Sequence, residues 1–162
     1  MTSKLPSLGP RGEGWVVAQL LLGAAIVALG PFGPDWPEGA VGALLVTGLV
    51  IGAGGAALLG WGVASLGSSL TPYPRPQEGA MFRGDGVYRH VRHPIYGGVL
   101  LLALGWSLAL SPLALAATAL LWILLELKSR LEETMLIERY PEYRTYASRV
   151  RRRFVPALAR RS

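Results

Sequence analysis

Between Ala40 and Leu66 the chain carries neither a charged residue nor a proline. That run is longer than the roughly 20 apolar residues an α-helix needs to cross a bilayer. In hydrocarbon every backbone N–H and C=O must be satisfied within the segment, so a run of this kind reads as a membrane helix. Three further runs follow the same logic. Trp15 to Gly30 is uncharged and stops at the turn-rich Pro31-Phe32-Gly33-Pro34-Asp35-Trp36-Pro37. It is a little short, so a cleaved signal peptide competes with a membrane span, but no small-x-small cleavage site follows it. The third run starts at Pro94, where a proline at the first helical position costs no hydrogen bond, and extends through Leu110 to a reversal at Ser111-Pro112. The fourth is apolar from about Leu113 to Leu125, and its pattern continues through the charged residues Glu126 to Arg139 with no Gly or Pro to stop it. The expectation is an all-α integral membrane protein, one domain over residues 1–162, with helices at about 15–30, 40–66, 94–110 and 113–139.

Charge sets the orientation. Only 16% of residues are charged, against about 25% in soluble domains. Lys4 and Arg11 precede the first helix, Arg75, Arg83, Arg89 and Arg92 lie between the second and third, and the remaining basic residues, Lys128 to Arg161, follow the apolar part of the fourth. The connections 32–38 and 111–112 hold no Lys or Arg. Four transmembrane helices with both termini cytoplasmic place every basic residue inside, as the positive-inside bias requires. Beyond the fourth helix, Pro141 can open an amphipathic helix at about 141–152, with Tyr143, Tyr146, Ala147 and Val150 on one face. Such a helix would lie on the cytoplasmic interface, and Arg151-Arg152-Arg153 and Arg160-Arg161 would meet anionic lipid headgroups. No nucleic-acid motif accompanies the basic run, so nucleic acid is not an expected partner. With no cysteine, and with His90 and His93 the only histidines, thiolate chemistry and a multi-histidine metal site are not expected either. In the second helix Gly48 and Gly52 form a G-x-x-x-G spacing that permits close packing within one chain or between two.

Chemistry concentrates at two places. The polar loop from Gly67 ends in Gly86-Val87-Tyr88-Arg89-His90-Val91-Arg92-His93-Pro94-Ile95-Tyr96, which puts His93 at the cap of the third helix and Arg92 just outside it. A guanidinium and an imidazole beside the positive end of a helix dipole suit a carboxylate or phosphate. The bland alternative is that Arg89, Arg92 and His93 only snorkel to lipid phosphates. The second place is Glu126, Glu132 and Glu133 near the inner end of the fourth helix, which could also be no more than a solvated charged face. Ser111-Pro112 makes the third and fourth helices antiparallel neighbours, so the basic cap and the glutamates meet at one depth, with Tyr88, Tyr96, Tyr140, Tyr143 and Tyr146 close by. A zwitterionic ligand with a carboxylate, an amine and ribose hydroxyls would match both ends.

The segments Arg92-His93-Pro94-x-Tyr96-x-Gly98, preceded by Gly86-Val87-Tyr88, and Glu132-Glu133-x-x-Leu136, Tyr143-x-x-Tyr146, Arg149-Val150 and Pro156 resemble the membrane methyltransferases typified by isoprenylcysteine carboxyl methyltransferase. More distant members of that group methylate phospholipid amines or small thiols. The resemblance spans residues 86–156, the expected cofactor-binding half. It implies S-adenosylmethionine in a cytoplasm-facing pocket and an apolar or lipid-like acceptor entering from the bilayer. Carried onto matching positions, Tyr88, Arg92, His93, Pro94, Tyr96, Gly98, Glu132, Glu133 and Tyr146 would form the cofactor pocket. Arg92 would take the methionine carboxylate, and Glu132 or Glu133 the amine or ribose hydroxyls. His93 and Tyr96 would be the catalytic candidates if a protonated acceptor needs a base. Tyr140-Pro141 departs from the Phe-Gly often found there, and the short N-terminal part points away from a prenylated protein substrate. Methyl transfer from a sulfonium needs no metal, so alignment and desolvation would carry most of the acceleration. Two other classes fit less of the sequence: a membrane reductase of sterol or isoprenoid type using NADPH, and a non-catalytic membrane scaffold.

Overall fold

A computed structural model describes residues 5–75 and 82–156. Among the described residues there are five α-helices and no strand: α1 (Glu13–Phe32), α2 (Glu38–Leu66), α3 (Pro94–Leu110), α4 (Pro112–Arg139) and α5 (Tyr143–Arg149). Helices α1, α2 and α4, of 20, 29 and 28 residues, are long and apolar enough to cross a membrane, and α3 is a shorter apolar helix. Large apolar side chains such as Leu20, Leu21, Val46, Leu49, Val50, Leu120 and Ile123 point outward. That is the surface of a protein whose solvent is lipid, and the chain is an integral membrane protein. Lys4, Pro76, Arg160 and Arg161 lie outside the described residues.

Lipid offers no hydrophobic drive for two apolar helices to associate, so close backbone approach has to supply it. Gly48, Gly55 and Gly62 recur every seven residues along α2 and present one bare stripe to α3, which runs antiparallel. A methyl group on Gly55 would lie 2.8 Å from the Leu101 Cβ, and one on Gly98 would lie 2.6 Å from the Leu59 backbone nitrogen. A methyl on Gly105 would crowd the backbones of Gly48 and Gly52, whereas one on Gly52 would meet open space, so Gly48 is the member of the G-x-x-x-G pair whose bareness this packing uses. Helix α1 lies on the other side of the bundle, where Ile26 packs with Ala117, Leu121 and Leu125 of α4. The Trp106 indole donates to the Ile26 carbonyl at 3.2 Å. Between α3 and α4 the buried hydroxyls of Ser107 and Thr118 satisfy each other at 2.8 Å. Ser111 turns the chain, its hydroxyl accepting from the Leu113 N–H at 3.2 Å with Pro112 following.

Helix α3 keeps the bounds read from the sequence, α1, α2 and α4 each begin one or two residues earlier than expected, and α1 runs through Pro31 to Phe32 instead of stopping at Gly30. The expected helix at 141–152 is corrected: α5 ends at Arg149. Its continuation is drawn off by a better use for its backbone. Past Val150 the chain runs as an extended strap, and the Arg152 and Arg153 carbonyls accept from the Arg92 and His93 N–H groups at 3.0 and 2.7 Å. Only glycine at position 97 lets this strap lie against α3, since a Cβ there would overlap the Phe154 carbonyl. Arg153 accordingly points into the protein, while Arg151 and Arg152 remain exposed.

Candidate functional site

The site forms where α3 begins and the charged half of α4 passes it. Pro94 occupies the first position of α3, with His93 at the cap. Just upstream, Gly86 takes a φ of +54°, which a side chain disfavours, and its hydrogen faces the Ser65 hydroxyl. The 3-10 turn Gly86–Arg89 that follows buries Val87, Tyr88 and Val91 against Leu58 of α2. Tyr88 and Arg92 are thereby fixed relative to the helix cap before any ligand arrives.

Glu133 is the electrostatic hub. Its carboxylate accepts from Arg92 Nε at 2.9 Å, meets His93 Nε2 at 3.0 Å, and receives Arg153 from the strap at 3.3 Å. Arg92 also donates to the carbonyls of Val150 at 2.8 Å and Ala147 at 3.4 Å, so one guanidinium binds α3, α4 and α5 together. Arg153 forms a second ion pair with Glu126, which also holds Arg130 at 3.0 Å. The neighbouring Glu132 points about 100° away around the helix. Its carboxylate accepts the Tyr96 hydroxyl at 2.8 Å and lies 3.7 Å from His93 Nδ1. The His93 and Tyr96 rings stack with centroids 5.4 Å apart.

These groups enclose a cavity of about 420 Å³. That volume is within the range of sites that take drug-sized ligands, about 300–1,000 Å³. Part of the wall is polar and aromatic, with Arg83, Tyr88, Arg92, His93, Glu132, Tyr143 and Tyr146; the part from α1, α2 and the loop after α2 is mostly apolar, with Gln19, Thr71 and Tyr73 among its residues. Phe82 closes the polar end, its ring 5.1 Å from that of Tyr146 and 5.7 Å from that of Tyr143. The Tyr146 hydroxyl donates to the Tyr88 carbonyl at 2.7 Å, but the Tyr143 hydroxyl, on a residue 2% exposed, has no partner among the described residues. Neither does Arg83 Nε, also buried on this wall. Burial pushes all three phenols well above their ordinary range near 10; the Glu132 carboxylate adds to this at Tyr88, and Glu133 and Glu132 add to it at Tyr143. At Tyr146 burial outweighs the opposing Arg92 charge. The tyrosines are therefore neutral hydrogen-bond donors at any physiological pH.

Of the residues singled out by sequence, Tyr88, Arg92, His93, Tyr96, Glu132 and Tyr146 come together on the cavity wall. Glu133 stands behind it as the anchor of Arg92 and the strap. Pro94 and Gly98 face α2, where they pack against Gly62 and Gly55. Sequence reasoning passed over Arg83, Phe82, Gln19 and Lys128. Lys128 alone carried a readable signal: it falls three residues after Leu125 and seven after Leu121, so a charge continues the apolar stripe of α4 that those two leucines mark.

No curated protein gives a significant match to the chain. The phospholipid methyltransferase family matches residues 43–143, from within α2 through α3 and α4 to the first residue of α5. That stretch is more than half of the 162 residues and includes both the cap of α3 and the paired glutamates. The chain belongs to the phospholipid methyltransferase family.

Proposed function

We propose that the protein transfers a methyl group from S-adenosylmethionine to a small or lipidic apolar acceptor, a carboxylate, thiol or amine, that enters from the bilayer. The observation that carries this reading is a single cavity with a polar aromatic end and an apolar end, in a membrane protein of a methyltransferase family. Two buried donors without partners among the described residues, the Tyr143 hydroxyl and Arg83 Nε, fit a ligand rich in acceptor atoms.

S-adenosylmethionine, when bound, supplies a methyl group activated by a sulfonium charge. Glu132 would accept hydrogen bonds from its amine or ribose hydroxyls, and Tyr143 would donate to it. Arg83 is better placed than Arg92 to receive its carboxylate, because Arg92 already holds Glu133 and two carbonyls. The faces of Phe82 and the three surrounding tyrosines favour a cation over water. Where the acceptor carries a proton, the Tyr96 hydroxyl at 2.8 Å from Glu132 offers a path for it, with His93 stacked alongside. The clustering of basic residues at this end of the helices supports a cytoplasm-facing site. Exposed Arg151 and Arg152 support contact with anionic headgroups there. The family match favours methyl transfer over the reductase and scaffold readings.

The test is calorimetric titration of the detergent-purified protein with S-adenosylmethionine and, separately, with NADPH. Saturable binding of the first, lost in Glu132→Ala, is the expected result. Binding of NADPH in its place, or of neither by folded protein, overturns the proposal.

A further inference from the structure

The residues before α1 fold onto the loop that follows α2. They form a tight turn that caps α1: the Gly12 N–H donates to the Gly9 carbonyl at 3.2 Å, the Gly14 N–H to the Leu8 carbonyl at 2.8 Å, and the Trp15 indole to the Pro6 carbonyl at 3.1 Å. Three contacts join this turn to residues 73–75. Arg75 donates to the Pro10 carbonyl at 3.1 Å, the Arg11 guanidinium stands 5.5 Å from the centroid of the Tyr73 ring, and the fully buried Pro74 lies on Gly12. Glycine is required at position 12, where φ is +88° and a Cβ would come within 2.7 Å of the Pro74 ring. Tyr73 and Pro74 also line the cavity, so they are a thin layer with the cavity on one side and the N-terminal turn on the other.

This loop is held unequally along its length. At its base the Pro72 carbonyl accepts from the buried Lys128 ammonium at 3.1 Å, which also holds Gln19 of α1 at 2.7 Å. At its tip, residues 73–75, the polar contacts are on the surface: the Arg11 side chain is 67% exposed, and Arg75 is exposed too. Exposed charge and cation–π contacts are weak, whereas a charge-assisted bond from a buried group is strong. The lining residues that are themselves exposed, Leu20, Val63, Leu70 and Pro72, are all apolar, and the polar wall is buried or half-buried. A charged, hydrophilic ligand therefore needs an entrance that something must uncover, since crossing the apolar side would strip its water. The geometry points to a door: residues 73–75 swing about Pro72 to admit a hydrophilic ligand from the water side, and the N-terminal turn is the latch that shuts it. Taking S-adenosylmethionine as that ligand rests on the function proposed above.

The chain has no cysteine, so two can be placed without competing thiols. A Cβ at position 12 lies 3.5 Å from that of Pro74, within the disulfide span of about 3.5–4.5 Å. The full chain carrying Gly12→Cys and Pro74→Cys, in nonionic detergent, should take up S-adenosylmethionine about tenfold or more slowly when oxidised than when reduced, because a covalent latch removes the open state. Equal rates in the two forms overturn the proposal. A second measurement uses no cofactor: Leu136→Cys, on the cavity wall, is labelled with a charged, water-soluble thiosulfonate. Adding Arg11→Ala and Arg75→Ala should speed labelling about fivefold or more, the effect of losing two weak exposed contacts. An unchanged labelling rate in folded protein overturns the door. Failure of S-adenosylmethionine to bind either redox form refutes the cofactor reading instead, and the labelling rate then decides the door by itself.

Discussion

Glu132 and Glu133 are adjacent in sequence and both candidates for holding a cofactor, yet their surroundings predict opposite phenotypes. Replacing Glu133 by Gln keeps its shape and removes the charge shared by Arg92, His93 and Arg153. The side chains of Arg92 and Glu133 are only 11% and 15% exposed, so the guanidinium is left largely buried without its carboxylate. Removing one partner of a buried ion pair costs about 3–5 kcal/mol. Arg153 keeps Glu126 and Arg92 keeps the Ala147 and Val150 carbonyls, which places the loss near 3 kcal/mol, or about 6–12 °C in melting temperature for a chain of this size. Glu132→Gln leaves an amide oxygen to accept the Tyr96 hydroxyl, so its stability should change by less than about 1 kcal/mol. A charged ligand group would lose its ionic partner, however, and S-adenosylmethionine affinity should fall about 10- to 100-fold. Both variants are purified in detergent, melted by intrinsic fluorescence and titrated by calorimetry. If Glu133→Gln melts with the wild type, or if Glu132→Gln binds normally, the division between anchor and ligand residue is refuted.

Gly97→Ala should push the strap off α3 through collision with the Phe154 carbonyl, at a cost of about 1–3 kcal/mol. Faster proteolysis after Arg149 reads it out. Tyr143→Phe removes a hydroxyl that has no partner among the described residues, so the melting temperature should hold or rise while S-adenosylmethionine affinity drops severalfold; a melting temperature lowered by several degrees would show that the hydroxyl is structural. The raised phenols of Tyr88, Tyr143 and Tyr146 hold their protons in the folded state beyond the point where the unfolded chain releases them. Their contribution to stability is therefore complete below about pH 10 and lost as pH rises above it. Melting from pH 7 to 11 should show a plateau and then a fall that shrinks in Tyr143→Phe.

The helices were legible because lipid makes the rule simple: an uncharged run such as Ala40 to Leu66 has no alternative to helix, and Pro94 and Ser111-Pro112 mark ends by local chemistry alone. The depth at which the α3 cap meets the glutamates was legible too, since one tight reversal fixes it. The strap was not. Arg151-Arg152-Arg153 looks like a solvated cationic run, and nothing local distinguishes Arg153, which turns inward, from its exposed neighbours. What turns it is the pairing of the 152 and 153 carbonyls with N–H groups sixty residues upstream, a tertiary contact with no sequence period.

Neither was the division between the two glutamates. A helix sends successive side chains about 100° apart, so the two members of an adjacent pair meet different surroundings, and only the packed structure says which one lines the cavity. Here Arg92 decides. Its guanidinium reaches Glu133 and the carbonyls of Ala147 and Val150 at once, which holds α5 and the strap against the start of α3. Tyr146 closes the same joint from the other side through the Tyr88 carbonyl. Much of the polar wall of the cavity is thus built from a turn before α3 and a segment after α4, joined by ion pairs and backbone hydrogen bonds as well as by the buried rings of Tyr143 and Tyr146. Such a joint is strong only while its carboxylate is charged and its carbonyls are in place. That is why substitutions behind the wall, at Glu133 and Gly97, should register first as lost stability of the joint, and those on the wall, at Glu132, as lost affinity.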